Sequence, residues 1–487
     1  MSAPSVRPDL SITLVVDLDG TLTPVDTLHE SLARLLRRQP LQVLQAPLWL
    51  AAGRAGFKNA VAQRLRLDPG ALPWNQPLLD YLREQKAAGR RLVLATAAHR
   101  QIADDVAAHL GLFDAVLATD DGHNLKGEAK LAAIRAQEGE RFAYAGDSTA
   151  DLPVWAGAQA AIVVGGTPQR LAQVQAGTPL ERHFERPAGG WAAWLKALRV
   201  HQWAKNALLF VPLITAWPAS MLVALGQLLL AFLAFSLVAS ATYVVNDLGD
   251  LDNDRAHPRK RLRPLASGAL PVLQVVAVAL ALLLLGFAMA LALSPAFALA
   301  LAVYLVLTTA YSAALKRYVL LDVLALGLLY TIRIIAGAVA IQVAVSSWLL
   351  VFSAFIFFSL ALVKRCAELV LYRQQGRTAS SGRDYRVDDL VVLWPMGVGA
   401  SLSAVVVFGL FVSAPETLAR YATPGLLWIT AAGLLYWLGR LWIKTSRGEM
   451  HDDPVVYALR DRGSRLTVQA MVAAALAARF VRMEHWL

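Results

Sequence analysis

The sequence predicts two structures in series: an α/β domain built on a parallel sheet with a small helical cap, then an all-α bundle of nine transmembrane helices. Three observations carry this reading. The 487 residues are 57% hydrophobic and only 17% charged, with mean hydropathy +0.48, too apolar for an ordinary soluble chain. The apolar residues are unevenly spread, mixed with charge over 1–190 and gathered into long runs over 207–485. Short β-branched runs alternate with helical patterns only in the first part.

In chain order, residues 12–16 form a buried strand that runs into Asp17-Leu18-Asp19-Gly20-Thr21-Leu22. Carboxylates at i and i+2 point to one side, at the carboxyl edge of a sheet, where open α/β folds bind ligands. A second strand, 91–96, ends in Thr96, and a third, 141–145, runs into Gly146-Asp147-Ser148-Thr149-Ala150-Asp151. A fourth spans 161–164, and the helix-like segment 26–80 forms the cap.

These motifs resemble the haloacid-dehalogenase phosphatase superfamily over roughly 11–170. The resemblance implies that Asp17 attacks phosphorus while Asp19 protonates the leaving oxygen and then activates water. It implies Mg²⁺ among Asp17, Asp19, Asp147 and Asp151, with Thr96 and a lysine on the phosphoryl oxygens. Lys130 is preferred to Lys126 because Gly127-Glu128-Ala129-Lys130 opens a helical segment, although spacing does not settle the choice. The chemistry is consistent: a carboxylate nucleophile needs a metal against the phosphate charge and an acid for the alcohol.

The phosphatase-like domain is set at 1–185 and a hinge with an interfacial helix at 186–206, leaving 207–487 to the membrane. Trp191, Ala192, Trp194, Leu195 and Leu198 recur at helical spacing beside Lys196 and Arg199, as in a helix lying among headgroups. Nine apolar runs follow, near 207–225, 228–247, 270–291, 295–315, 319–340, 347–364, 390–413, 423–443 and 466–484. The basic connections 248–269, 316–318, 365–389 and 444–465 fall on one side, with the N-terminus, while 294–295, 342–347 and 413–416 are nearly free of basic charge. The positive-inside rule then puts the N-terminal domain and the active sites in the cytosol and the C-terminus outside. The apolar stretch 10–16 is too short for a secretory signal and is followed by Asp17 and Asp19, so the N-terminal domain is expected to stay in the cytosol, while the long apolar runs predict an integral protein of the inner or plasma membrane.

The most informative membrane segment is 246–268, NDLGDLDNDRAHPRKRLRPLASG. Asp247, Asp250 and Asp254 are spaced to rise along one helix face until Pro258 ends it, and three such carboxylates suit Mg²⁺. Lys260, Arg261 and Arg263 follow, as phosphate oxygens require. Carboxylates for a metal beside cations for phosphate describe a diphosphate site. Lys316 ends the fourth run, and Asp322 and Arg333, eleven residues apart, share a helix face. Lys364, Arg365 and Arg377 belong to a basic loop able to close over phosphates, and a fourth cluster runs from Arg447 through His451, Asp452 and Asp453 to Arg462.

Residues 195–485 resemble the UbiA superfamily of intramembrane prenyltransferases, through Asn246-Asp247-x-x-Asp250-x-x-x-Asp254 and Tyr311…Lys316…Asp322. They depart from its usual second DxxxD motif, because Val323-Leu324-Ala325-Leu326 follow Asp322. His257-Pro258-x-Lys260-Arg261-x-Arg263-Pro264, Tyr311-Ser312-x-x-Leu315-Lys316 and Asp452-Asp453-Pro454 look more like the decaprenyl-phosphate phosphoribosyltransferase branch. That likeness implies phosphoribosyl diphosphate as donor and polyprenyl phosphate as acceptor, with Asn246, Asp322 and the basic residues above on the substrates. The soluble domain is then expected to remove the 5-phosphate, giving polyprenyl-phosphoryl-ribose. The alternatives are a prenyltransferase using an isoprenoid diphosphate on a small acceptor, and a transporter or lipid-binding protein with a regulatory domain.

Net charge is +11 with pI near 9.8, but the basic residues sit in short loops beside apolar runs, which argues for membrane topology and phosphate substrates and against nucleic acid. Cys366 is the only cysteine and supplies neither a disulfide nor a metal pattern. Assembly into a homo-oligomer is left open.

Overall fold

A computed structural model describes the chain except residues 1–6, 44, 52, 121–123, 187–188, 379–382, 451–453 and 483–487. The chain divides into two compact units, Met1–Leu198 with Tyr243–Ala279, and Arg199–Thr242 with Leu280–Leu487.

In the first unit, β1 (Thr13–Val16), β2 (Leu92–His99), β3 (Ala115–Thr119), β4 (Phe142–Gly146), β5 (Ala160–Val164) and β6 (Leu180–Phe184) form one sheet in the order β3-β2-β1-β4-β5-β6. All its neighbours are parallel. Alternation along the strands fills two cores. Leu14, Val16, Leu92 and Leu94 pack with Leu78, Leu79 and Leu82 of helix Gln76–Ala87. Val15, Val93 and Ala95 pack with Leu131, Ile134, Val154 and Trp155. The strand order reverses beside β1, so the crevice at the carboxyl ends of β1 and β4 is where ligands bind in such sheets.

The sequence reading missed the two edge strands. β3 is short and only partly buried, and β6 sets exposed Arg182 and His183 between buried Leu180-Glu181 and Phe184. A buried ion pair, Arg90 Nη1 to Glu181 Oε1 at 2.6 Å, fastens β6 to the rest. The cap is also smaller than the expected 26–80: helices Thr27–Arg38, Pro40–Val43, Ala46–Ala51 and Gly53–Arg64 build it, whereas Gln76–Ala87 is a core crossover. The expected interfacial helix is the short Trp191–Ala197, on which Trp191 and Leu195 are exposed. Part of its hinge, 187–188, lies outside the described residues.

Among the described residues, seven helices are long and apolar enough to cross a membrane: Met221–Gly249, Val272–Leu293, Pro295–Ala313, Leu321–Ala340, Ser347–Gln374, Val387–Val412 and Pro424–Ser446. Two of the nine expected spans are absent from this set. Residues 207–225 are broken into a 3₁₀ stretch, Val200–Phe210, and helix Val211–Ala216, which ends at Trp217 with φ of 51°. Pro218 follows, and a residue before proline is driven out of the helical region, so the next helix starts afresh at Met221. The last expected span is helix Arg462–Phe480, which carries Arg462, Arg465 and Arg479.

In the second unit the helices close on one another through small residues, as membrane bundles do. A side chain at Gly337 would meet Leu209 O at 2.1 Å, and one at Gly397 would meet the Trp442 ring at 2.1 Å. Ser359, Ser401 and Trp442 add buried hydrogen bonds, with Trp442 Nε1 donating to Ser401 Oγ at 2.9 Å.

Candidate functional sites

The carboxyl edge of the sheet gathers the aspartates read from the sequence. β1 delivers Asp17, whose N–H donates to Ala145 O of β4 at 3.0 Å. Its Oδ1 accepts from Leu18 N–H at 2.9 Å and lies 3.0 Å from Lys130 Nζ. Asp19 lines the same cavity as Asp17, and its Oδ1 accepts from Thr27 N–H at 2.8 Å. After β4, Asp151 folds back to take hydrogen bonds from Ser148 N–H at 3.0 Å, Ser148 Oγ at 2.8 Å and Tyr144 OH at 2.7 Å. Lys130 Nζ also donates to Tyr144 OH at 2.9 Å. Of the two lysines, Lys130 is therefore the one on Asp17, while Lys126 lines the surrounding cavity.

Oxygens of Asp17, Asp147 and Asp151 lie within 4.8 Å of one another. Burial pushes the Asp17 carboxyl up to about 6, with Lys130 opposing and Asp151 reinforcing. Burial, then the charges of Asp17 and Asp151, push Asp147 up to about 7. Asp19 is held well above the ordinary range by burial and by Asp26. Burial would lower Lys130, but Asp17 and Asp151 outweigh it and its pKa rises. Crowded hard oxygens that resist ionising together are a donor set that fits Mg²⁺. Asp19, expected in that set, is not in the converging group.

The cavity around these groups encloses about 700 Å³ and includes Lys58, Asn124, Arg186 and apolar Leu50 and Phe57, with Pro271 and Val272 at the head of helix Val272–Leu293. Thr96, expected on the phosphoryl group, is fully buried inside β2, where its Oγ accepts from Ala98 N–H at 3.0 Å. Sequence reasoning missed Lys58, which donates to Ala97 O at 2.6 Å and Asn124 Oδ1 at 2.7 Å. It also missed Arg186, 3.7 Å from Asp147, and Tyr144. Only the basic and aromatic content of the cap hinted at Lys58.

The same unit contains the acidic loop. Helix Met221–Gly249 ends before Asp250 and Leu251–Ala256 follows, yet Asp250 N–H still donates to Asn246 O at 2.9 Å and Asp254 N–H to Asp250 O at 2.8 Å. Asp247 and Asp254 are nearly enclosed, and Arg263 Nη1 lies 3.1 Å from the first and 2.6 Å from the second. Lys260 Nζ is 4.0 Å from Asp254. The three-carboxylate metal set expected at Asp247, Asp250 and Asp254 is thus not assembled among the described residues, because the chain's own guanidinium neutralises two of them. Asn246 and Asp250 are half-buried, and Arg261 is exposed.

In the second unit, Asp322 and Arg333 do not pair. Asp322 is buried against Arg365 at 2.6 Å and accepts from Tyr385 OH. Arg333 donates to Asn206 Oδ1 at 2.9 Å and lies over the Tyr304 ring. The expected basic loop from Lys364 is partly helix, since Ser347–Gln374 continues past both Lys364 and Arg365. Glu368 there takes Arg365 and, at 2.9 Å, Arg383. Arg377 is exposed over Tyr372, and Lys316 is half-buried in a 3₁₀ turn. His451, Asp452 and Asp453 lie outside the described residues, as does Gly382.

Comparison with known proteins decides the family, because residues 190–460 match the UbiA prenyltransferase family. The chain belongs to that family. It carries in addition an N-terminal haloacid dehalogenase-like hydrolase domain, matched over residues 14–155. An uncharacterized protein of Sinorhizobium fredii, y4nM, is 40% identical over 474 residues, 96% of this chain and 91% of its own. Decaprenyl-phosphate phosphoribosyltransferase of Mycobacterium tuberculosis is 33% identical over 293 residues, 59% of this chain and 94% of its own. A solved UbiA homologue of Archaeoglobus fulgidus, bound to GPP and Mg²⁺, is 18% identical with a TM-score of 0.45, covering 58% of this chain and 99% of its own. This UbiA-family chain is an integral membrane protein with transferase and hydrolase-like domains.

Proposed function

We propose that this protein transfers 5-phosphoribose from phosphoribosyl diphosphate to polyprenyl phosphate, and that its α/β domain then removes the 5-phosphate to leave polyprenyl-phosphoryl-ribose. The likeness to decaprenyl-phosphate phosphoribosyltransferase supports the first step. One structural observation supports the second: the cavity holding Asp17, Lys130 and Asp147 is also walled by Pro271 and Val272, the opening residues of an apolar membrane helix. A phosphate monoester anchored in lipid reaches such a cavity from the membrane.

In the transfer, an oxygen of the lipid phosphate attacks the anomeric carbon, the bond to the diphosphate breaks, and pyrophosphate leaves. Lys260, Arg261 and Arg263 are the cations of the acidic loop that balance this charge. Asp247 and Asp254 hold Arg263 in place for it.

In the hydrolysis, Asp17 attacks phosphorus, the bond from phosphorus to the ribose oxygen breaks, and Asp19, kept protonated by burial, donates its proton to that oxygen. Water then gives its proton back to Asp19 and releases phosphate from Asp17. Lys130 steadies the Asp17 carboxylate and Lys58 offers a second cation in the cavity. Asp17, Asp147 and Asp151 would hold Mg²⁺, which would supply positive charge against the phosphoryl oxygens. The fused arrangement keeps the second site at an effective concentration of about millimolar for the first site's product. The α/β domain and the acidic loop lie on the cytosolic side in this reading.

Membranes containing the protein, incubated with radiolabelled phosphoribosyl diphosphate and polyprenyl phosphate, should move label into lipid and release pyrophosphate. Label entering lipid only from an isoprenoid diphosphate, or no pyrophosphate release at all, would reject the proposal.

A further inference from the structure

We infer that Arg255, carried by the acidic loop of the UbiA-family region, is a positioning residue for the phosphatase-like site, acting through Glu30 on the helix that orients Asp19. The inference rests on the reading of Asp19 as the proton donor. Glu30 lies in the first turn of helix Thr27–Arg38 and is fully enclosed. Arg255 grips it with two nitrogens, Nη2 to Oε1 at 2.8 Å and Nη1 to Oε2 at 2.9 Å, although the residues are 225 positions apart. Arg34 adds a contact of 2.6 Å to Oε2 and reaches Asp252 Oδ1 at 2.7 Å. Arg255 is itself pinned, its Nε donating to Ala266 O at 2.9 Å and its Nη1 to Ala71 O at 3.2 Å.

The same helix begins at Thr27, whose N–H donates to the Asp19 carboxylate at 2.8 Å. The connecting residues are held from the same side. A side chain on Gly268 would meet Pro24 and Val25 at 2.8 Å, so the loop lies directly on the link between Asp19 and the helix. All these residues belong to one compact unit. Enclosing a carboxylate between two guanidinium groups gives little net stability over an apolar contact of the same size, but it fixes position in a way that apolar contact does not. The membrane loop thereby sets where the cap helix begins, and with it where Asp19 stands.

The test uses the full-length protein in detergent with Mg²⁺ and p-nitrophenyl phosphate. Glu30→Gln combined with Arg255→Met removes both charges at similar volume. The double variant should keep the wild-type melting temperature and KM while kcat per folded molecule falls about 10- to 100-fold, as sub-ångström misplacement of a reacting group does. Arg255→Lys keeps the charge but not the two-pronged grip, and should fall between. If the wild type leaves p-nitrophenyl phosphate intact, the phosphatase reading itself has failed. If the wild type turns it over and the folded double variant keeps the wild-type kcat, the positioning role is overturned. Should the double variant not fold, wild-type kcat in Arg255→Lys overturns it equally.

Discussion

Arg365 and Asp322 meet at 2.6 Å with neither side chain exposed. An enclosed ion pair contributes little over an apolar pair of the same shape, but breaking it from one side strands a bare charge. Arg365→Ala is therefore expected to destabilise by about 3–5 kcal/mol. Arg365→Met combined with Asp322→Leu should cost far less. Thermal unfolding in detergent compares them, and equal losses would mean that the charge pairing is not what matters.

Asp17 and Asp147 titrate in the folded domain at about 6 and about 7, above the ordinary carboxylate value near 3.9. An acid with a raised folded-state pKa binds its proton more tightly when folded. Its metal-free contribution to stability is therefore greatest below the unfolded value and is lost as pH rises through 6 to 7. Mg²⁺ competes with those same protons. Added Mg²⁺ should raise the melting temperature little at about pH 5 and clearly at about pH 8. A shift independent of pH would contradict the three-aspartate cluster as the binding site.

Gly20 turns the chain between Asp19 and Thr21 with φ of 79°, and a side chain there would lie 2.1 Å from Asp147 Oδ2. Gly20→Ala strains the backbone by about 1–2 kcal/mol and displaces a carboxylate from the metal cluster. Hydrolysis of p-nitrophenyl phosphate should fall at least about 100-fold while phosphoribosyl transfer continues. Retained hydrolysis would show that Asp147 can move without consequence.

Arg263 joins Asp247 to Asp254. Arg263→Gln removes the guanidinium that two nearly enclosed carboxylates share and takes a charge from the proposed diphosphate site. The transfer kcat/KM for phosphoribosyl diphosphate should drop about 100-fold, whereas exposed Arg261→Gln should lose less. The reverse order would move the diphosphate site away from Arg263.

Local features of this fold were legible in the sequence. A strand's period of two put Asp17 and Asp19 at one sheet edge, and Gly146-Asp147 with Asp151 could be read from the turn after β4. Asp19 lines the same cavity as Asp17 but bonds to Thr27 N–H and stands outside the converging metal group, which spacing alone could not tell. The edge strands were hidden by their brevity and mixed polarity, and the broken first span by a proline effect within an apolar run. What spacing could not supply was partnership: Arg263 turning back onto the acidic residues before it, Arg365 on Asp322, and Glu30 on Arg255 depend on chain reversals. Asp322 and Arg333 share a helix face, yet Asp322 meets Arg365 of another helix, a partnership that spacing within one helix cannot show.

The sequential action of the two sites is tested most directly by Asp17→Asn, in which the attacking carboxylate of the α/β domain becomes an amide. Lipid extracted after incubation with radiolabelled phosphoribosyl diphosphate and polyprenyl phosphate should carry label at the wild-type rate but retain the 5-phosphate, which an added phosphatase removes. Dephosphorylated product from the variant, matching that of the wild type, would contradict the account.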